Sequence, residues 1–184
     1  MGEVVTYETP RLRIRPLCSS DAESIHREGG NREIADTMIS LPHPFPLDQV
    51  EQFIARMEAE RENGEAFAFV IELKNNGEFV GCIEIRAIDR EHKQAEISSW
   101  TARPFWGQGY MTEVVGAILP FAFDDLGMNR VYAFHMVRNP ATGRVLQKNG
   151  FRQEGLLRQR VWKWDRFENV AIWAILKGDV GGSG

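Results

Sequence analysis

Between residues 111 and 126, Met111, Val114, Val115, Ile118, Leu119, Ala122, Phe123 and Leu126 recur at i, i+3, i+4, i+7, i+8, i+11, i+12 and i+15. That period commits the segment to a helix with one continuous apolar face, which must lie on something equally apolar. The chain offers a sheet for it. "AFAFVIEL" and "EFVGCIEIRAI" read as strands joined by "KNNG", where Asn76-Gly77 tolerates the positive φ of a hairpin turn, and "QAEISSWTA" reads as a third strand. Pro120 falls inside the helix and withholds the N–H that the Gly116 carbonyl would accept, so a bend is expected there.

The flanking segments extend the pattern. "RLRIRPL" alternates as a half-buried first strand, and "SSDAESIHREGG" is a helix with Ser20 or Asp21 as cap and Gly29-Gly30 as stop. "LPHPFPLD" is a proline-punctuated loop before a helix on Val50, Phe53, Ile54 and Met57. After the 111–126 helix come a strand, "NRVYAFHMV", and a helix, "PATGRVLQKNG". "FRQEGLLRQ" and "WDRFENVAIWAIL" make a final strand pair. The order β, αα, βββ, α, β, α, ββ predicts an α/β (α+β) fold, a mixed sheet with helices on its faces. One domain over 1–178 and a flexible tail over 179–184 are expected.

A formal charge of −4 argues against a nucleic-acid or membrane-surface binder while leaving a cationic or amine-bearing ligand open. Cys18 and Cys82 are too few for a disulfide framework or a zinc site. "MGEVVTYETP" lacks the basic start and apolar core of a signal peptide, Met1-Gly2 makes only a weak myristoylation pattern, and no apolar run approaches membrane-helix length. A cytoplasmic protein is expected.

Two glycines, Gly107 and Gly109, stand in "PFWGQGYM" between the third strand of the meander and the long helix. A strand, a bare loop and a helix N-terminus form an anion site, because the first amides lack helical acceptors and the helix dipole backs them. Asp and Glu are absent from residues 97–112, and Glu113 is the first carboxylate. The glycines by themselves are equally compatible with a simple turn.

The loop resembles the coenzyme A loop, R/Q-x-x-G-x-G/A, of the GNAT acyl-CoA N-acyltransferase superfamily. The surrounding motifs resemble its ribosomal-protein N-terminal acetyltransferase branch, the RimJ/RimL group. They are "TPRLRIRPL" at 9–17, "AEISSWT" at 95–101, "FWGQGYMTEV" at 105–114, "FDDLGMNRV" at 123–131, "NPATGRVLQKNGF" at 139–151 and "EGLLR" at 154–158. Trp106 replaces the R/Q residue, as is usual in the branch, and Met111 the last G/A. The resemblance implies a GNAT fold, a mostly antiparallel sheet of about seven strands flanked by about four helices. It implies an acetyl-CoA-dependent N-acetyltransferase needing no metal. The amides of Gln108, Gly109, Tyr110, Met111 and Thr112 would take the pyrophosphate. Trp100, Thr101 and Ala102 would leave amides free for the pantetheine and the acyl oxygen, with Asn139 beside the arm or simply capping the helix that follows.

For the proton, Glu96 of "AEI" is the first candidate base, and an ion pair with Arg86 or Lys93 is its ordinary alternative. Glu84 is the reserve, and a lone strand histidine such as His135 is more often structural. The tyrosine that many members carry in L-Y-x-x-x-G-F is absent, so Thr142, in the branch's Ser/Thr position, is the candidate partner of the leaving sulfur; its alternative role is a helix cap. An α-amine with pKa near ~8 is about one-tenth neutral at pH 7, whereas a lysine near ~10.4 is neutral roughly once in 2500. The acceptor expected is therefore a protein or peptide N-terminus, with a small-molecule amine or a non-catalytic coenzyme-binding module as alternatives. The molecule would work as a monomer or homodimer. Trp162, Trp164 and Phe167 either wall the acceptor site or stabilise their own hairpin.

Overall fold

The computed structural model describes residues 6–180. The strands are β1 (Tyr7–Glu8), β2 (Leu12–Pro16), β3 (Phe67–Leu73), β4 (Phe79–Asp89), β5 (Gln94–Thr101), β6 (Arg130–Met136), β7 (Arg152–Lys163) and β8 (Arg166–Leu176). The helices are α1 (Ala22–Gly29), α2 (Arg32–Thr37), α3 (Leu47–Asn63), α4 (Tyr110–Pro120) and α5 (Pro140–Lys148). One sheet of order β1-β2-β3-β4-β5-β6-β8-β7 carries them, antiparallel everywhere except at β5–β6. The mixed, mostly antiparallel sheet agrees with expectation, and two details differ. Among the described residues there are eight strands rather than about seven, the extra one being the two-residue edge β1, too short to show a period. The described residues also form five α-helices rather than about four. The six-residue α2 lies in a stretch that shows no helical period, and its sequence sign is Asn31, whose side chain caps Glu33 N–H at 2.8 Å.

Both faces of the sheet are covered. α4 buries Val114, Val115, Ile118 and Leu119 on Phe67, Phe69, Ile83, Ile85, Ala95 and Ile97, each side chain worth about 2 kcal/mol. On the other face α1 and α3 bury Ile25, Val50, Ile54 and Met57 over Ala68, Val70, Cys82 and Trp100. This double cover explains why the first five residues of β4, "FVGCI", are buried without alternation. The bend expected at Pro120 takes the form of a π-helical turn over Phe121–Asp125, closed by Leu126 N–H on the Phe121 carbonyl at 3.0 Å. Among the described residues no helix is long and apolar enough to cross a membrane. The expected tail begins in order, since Lys177–Asp179 forms a 3₁₀ turn; residues 181–184 and the Met1-Gly2 pattern lie outside the described residues.

Candidate active site

α4 starts where the sequence places it. Its N-cap is Gly109 at φ 78°, preceded by Gly107 at φ 76°. A Cβ built on Gly107 meets nothing within 4 Å, and one on Gly109 meets only Arg11 Nη2 at 3.7 Å. Backbone conformation rather than crowding therefore calls for glycine here. The first α4 amide with an acceptor is that of Glu113, on the Gly109 carbonyl at 3.2 Å; those of Gln108 to Thr112 have none among the described residues. Side chains hold the loop from behind. Trp106 Nε1 donates to the Thr101 carbonyl at 2.6 Å, and Gln108 Nε2 to that of Pro104 at 2.9 Å.

The sequence reading missed Arg11, which it saw only as the polar side of a strand. Its guanidinium lies 4.3 Å over the Tyr110 ring and donates to the Gln108 carbonyl at 3.1 Å and to Glu113 Oε2 at 2.8 Å. Glu113, the carboxylate nearest the bare amides in sequence, is thereby neutralised. Burial works to raise its pKa, but the Thr9 hydroxyl and Arg11 outweigh that and hold it below the usual carboxylate range.

β5 and β6 pair only at Gln94↔Arg130, Ala95↔Val131 and Glu96↔Tyr132, and beyond that the two strands separate. A cavity of about 460 Å³ fills the split, lined by Gly107, Gly109 to Thr112, Thr101, Trp100, Glu96, Asn139 and Thr142 among others. One expectation needs correcting. Ala102 N–H is donated to the Val80 carbonyl at 2.8 Å and is not free. With Cys82↔Trp100 and Gly81↔Thr101 in register, Trp100 likewise turns its amide to β4, and those of Ser99 and Thr101 face the split.

The candidate bases lie close together. Arg86 donates to Glu96 Oε1 through Nη2 at 2.6 Å and Nε at 3.2 Å, the pairing weighed from the sequence, while its Nη1 is 3.7 Å from Glu84 Oε2. Glu84 accepts no hydrogen bond among the described residues. Burial pushes its pKa up, and Arg86 and Arg56 offset only part of that. His135 is buried, with Nδ1 donating to the Met136 carbonyl at 2.9 Å and Nε2 accepting from Trp173 Nε1 at 3.0 Å, so no lone pair remains for a substrate. The slot of the missing tyrosine holds Leu146, buried in the core under α4. Asn139 and Thr142 do not cap α5 with their side chains. Asn139 Nδ2 donates to Thr142 Oγ1 at 3.0 Å and to the Thr37 carbonyl at 3.4 Å, which leaves the Thr142 proton free to point elsewhere.

A second lobe, of about 750 Å³, adjoins the first, and Met38, Ser40, Arg86, Ser98 and Trp100 line both. Leu41, Pro42 and Phe45 of the proline-rich loop, one stripe of α3, Ile25 of α1, and Cys82 and Glu84 of β4 complete it. The three hairpin aromatics do not line either lobe. Trp162 and Phe167 are cross-strand partners with centroids 4.7 Å apart on the outer surface, and Trp164 Nε1 donates to Asp36 Oδ1 at 2.6 Å.

Residues 11–152 match the acetyltransferase (GNAT) domain model. An N-acetyltransferase named YoaA from Bacillus subtilis (strain 168) is 28% identical over 170 residues, 92% of this chain and 96% of the relative. A spermidine N(1)-acetyltransferase from Vibrio cholerae serotype O1 is 25% identical over 167 residues, 91% of this chain and 94% of the relative. The structure of RimL, a ribosomal L7/L12 alpha-N-protein acetyltransferase in complex with coenzyme A, superposes with a TM-score of 0.87 at 19% identity, covering 94% of this chain and 98% of that one. The chain belongs to the GNAT acetyltransferase family, with the fold of the RimJ/RimL group, and is an acetyl-CoA-dependent N-acyltransferase.

Proposed function

We propose that this protein acetylates a primary α-amine, most simply a protein or peptide N-terminus, in the split between β5 and β6. Acetyl-CoA, when bound, supplies the acetyl thioester that the neutral amine attacks. The observation carrying this reading is the run of unpartnered amides at the mouth of α4, of which those of Gly109 to Thr112 belong to residues lining the same cavity as Glu96, Asn139 and Thr142. Those amides are assigned to the diphosphate, and the outward N–H groups of Ser99 and Thr101 to the pantetheine and the carbonyl oxygen. An amide fixed beside a developing oxyanion is worth about 3 kcal/mol.

Among the carboxylates, Glu84 is assigned the amine's proton, and Glu96 the task of fixing Arg86 beside it. Glu96 is committed to a guanidinium at 2.6 Å, whereas Glu84 has no hydrogen bond and a pKa moved by burial toward that of an amine. Thr142, whose oxygen is occupied by Asn139, has its proton available for the sulfur. A thiol of pKa near ~8.5 also leaves as thiolate, so the absence of a tyrosine does not halt the reaction. A small-amine acceptor is the second reading, and the spermidine acetyltransferase relative favours it.

Thiol release from acetyl-CoA, measured with N-terminal peptides and with small amines in parallel, tests the proposal. Acceleration by peptides with free α-amines is the expected result. Tight coenzyme binding with no acceleration by any amine would leave a binding module instead.

A further inference from the structure

The second lobe is asymmetric in charge. Its side walls are apolar or neutral, and its charged side chains are Arg56, Arg86 and Glu84. Arg86 is taken, since three of its nitrogens face Glu96, Ser40 and Glu84. Arg56 is not. Its guanidinium carbon lies 5.6 Å from the Phe53 centroid, its side chain is 64% exposed, and its one ion pair is with Glu60 at 3.6 Å. That separation is beyond normal hydrogen-bond length, and Nη1 and Nη2 are left without acceptors among the described residues. Gln49, Gln52 and Phe53 share the cavity-lining stripe of α3 with Arg56, at helical spacings of three and four residues. The two amides add neutral hydrogen-bonding capacity and no negative charge.

We infer that the second lobe selects an amine that itself carries a carboxylate, read by Arg56 with Gln49 and Gln52 beside it, and disfavours a polyamine. This rests on the proposed function, with the amine reaching the β5–β6 split from the adjoining second lobe, where Glu84 stands. A guanidinium fork with free N–H groups matches a carboxylate in charge and in planar geometry. A polyamine instead needs carboxylates for its second and third ammonium groups, and this lobe has Glu84 alone, already beside Arg86. Two sources fit the chemistry: a peptide whose N-terminal residue is followed by Asp or Glu, or a free amino acid.

The experiment measures kcat/KM by thiol release with peptides differing only in Glu, Gln or Lys after the N-terminal residue, and with free glutamate and spermidine. The order expected is acidic over neutral over basic, with spermidine below the acidic acceptors. Arg56→Gln should lower the acidic-to-neutral ratio roughly 5-fold, the scale of a largely exposed charge pair, and Arg56→Glu should invert it. Because the ratio is taken within one enzyme, a folding defect cancels. Preference for the acidic peptide or for free glutamate identifies the source, and either supports the proposal. An unchanged ratio in Arg56→Gln, or spermidine as the best acceptor, overturns it while leaving the acetyltransferase intact. Failure of every acceptor, together with no rise in melting temperature on adding acetyl-CoA, overturns the proposed function and this inference with it.

Discussion

Replacing Gly109 by Glu and, separately, by Gln isolates the electrostatic part of coenzyme binding. Both side chains impose the same backbone penalty, because Gly109 has φ 78° and a left-handed conformation costs an ordinary residue about 1–2 kcal/mol. Neither collides, since the built Cβ has only Arg11 Nη2 near it, at 3.7 Å. The two variants should therefore melt within a degree or two of each other, roughly 3–6 °C below the parent. What separates them is one negative charge at the tip of α4, where the amides of Gln108 to Thr112, without acceptors among the described residues, are proposed to take the diphosphate. Unit charges about 4 Å apart repel by about 1 kcal/mol in water and about 4 kcal/mol at a protein surface. Gly109 is exposed, so about 2 kcal/mol is a fair expectation, or roughly 30-fold in Kd. Calorimetric titration with coenzyme A at low salt reads the difference, and 1 M salt should erase most of it. Equal affinities of the Glu and Gln variants at low salt would refute the anion site.

Three further outcomes are expected. Glu84→Gln should reduce kcat/KM about 100-fold and remove the alkaline rise of the pH–rate profile. Because burial raises the Glu84 pKa, the folded state loses stability as pH climbs from the ordinary carboxylate value through the raised one; the Gln variant escapes this and should melt no lower than the parent at neutral pH. Arg11→Met should weaken coenzyme binding about 5-fold by uncovering Glu113, and adding Glu113→Gln should restore it; a double variant as weak as the single would place the effect elsewhere. Asp21 is buried, which alone would raise its pKa, but Arg15 at 2.6 Å and the Cys18 amide hold it low. Its stabilising share is thus present above the ordinary carboxylate range and is lost as pH falls through its lowered value. Asp21→Asn should cost about 3 kcal/mol at neutral pH, roughly 9 °C in Tm, with the gap closing in acid.

The parts of the site that sequence discloses are those built from neighbours along the chain. Gly107, Gly109 and the 111–126 period lie in one stretch, and a helix N-terminus is a property of a few consecutive amides. The opening between β5 and β6 followed from resemblance, but which amides face it depended on register: Ala102 is consumed by Val80, and no local pattern shows that. Asn139 and Thr142 looked like caps because Asn and Ser/Thr at helix starts usually are. A carbonyl brought in by α2, that of Thr37, gives the Asn139 amide a different partner, 102 residues away. Arg11 with Glu113, and Arg138 with Asp36, are likewise 102 residues apart in sequence, out of reach of any periodicity argument.

This difference in construction bears on how one fold takes many acceptors. The proposed coenzyme end depends on backbone amides at a helix start, which should tolerate most side-chain changes so long as the two glycines keep their φ. The proposed acceptor end is lined by side chains from α1, α3, β4, β5 and the proline-rich loop. On the proposed reading, substitution of Arg56, Gln49 or Gln52 should alter which amine is received and leave the glycine loop at the start of α4 untouched, since none of the three lines the cavity there. Glu84 and Arg86 should be less free to vary, because they line the second lobe 3.7 Å apart and the proposal assigns Glu84 the proton. Acceptor choice should accordingly diverge along α3 before it diverges along β4.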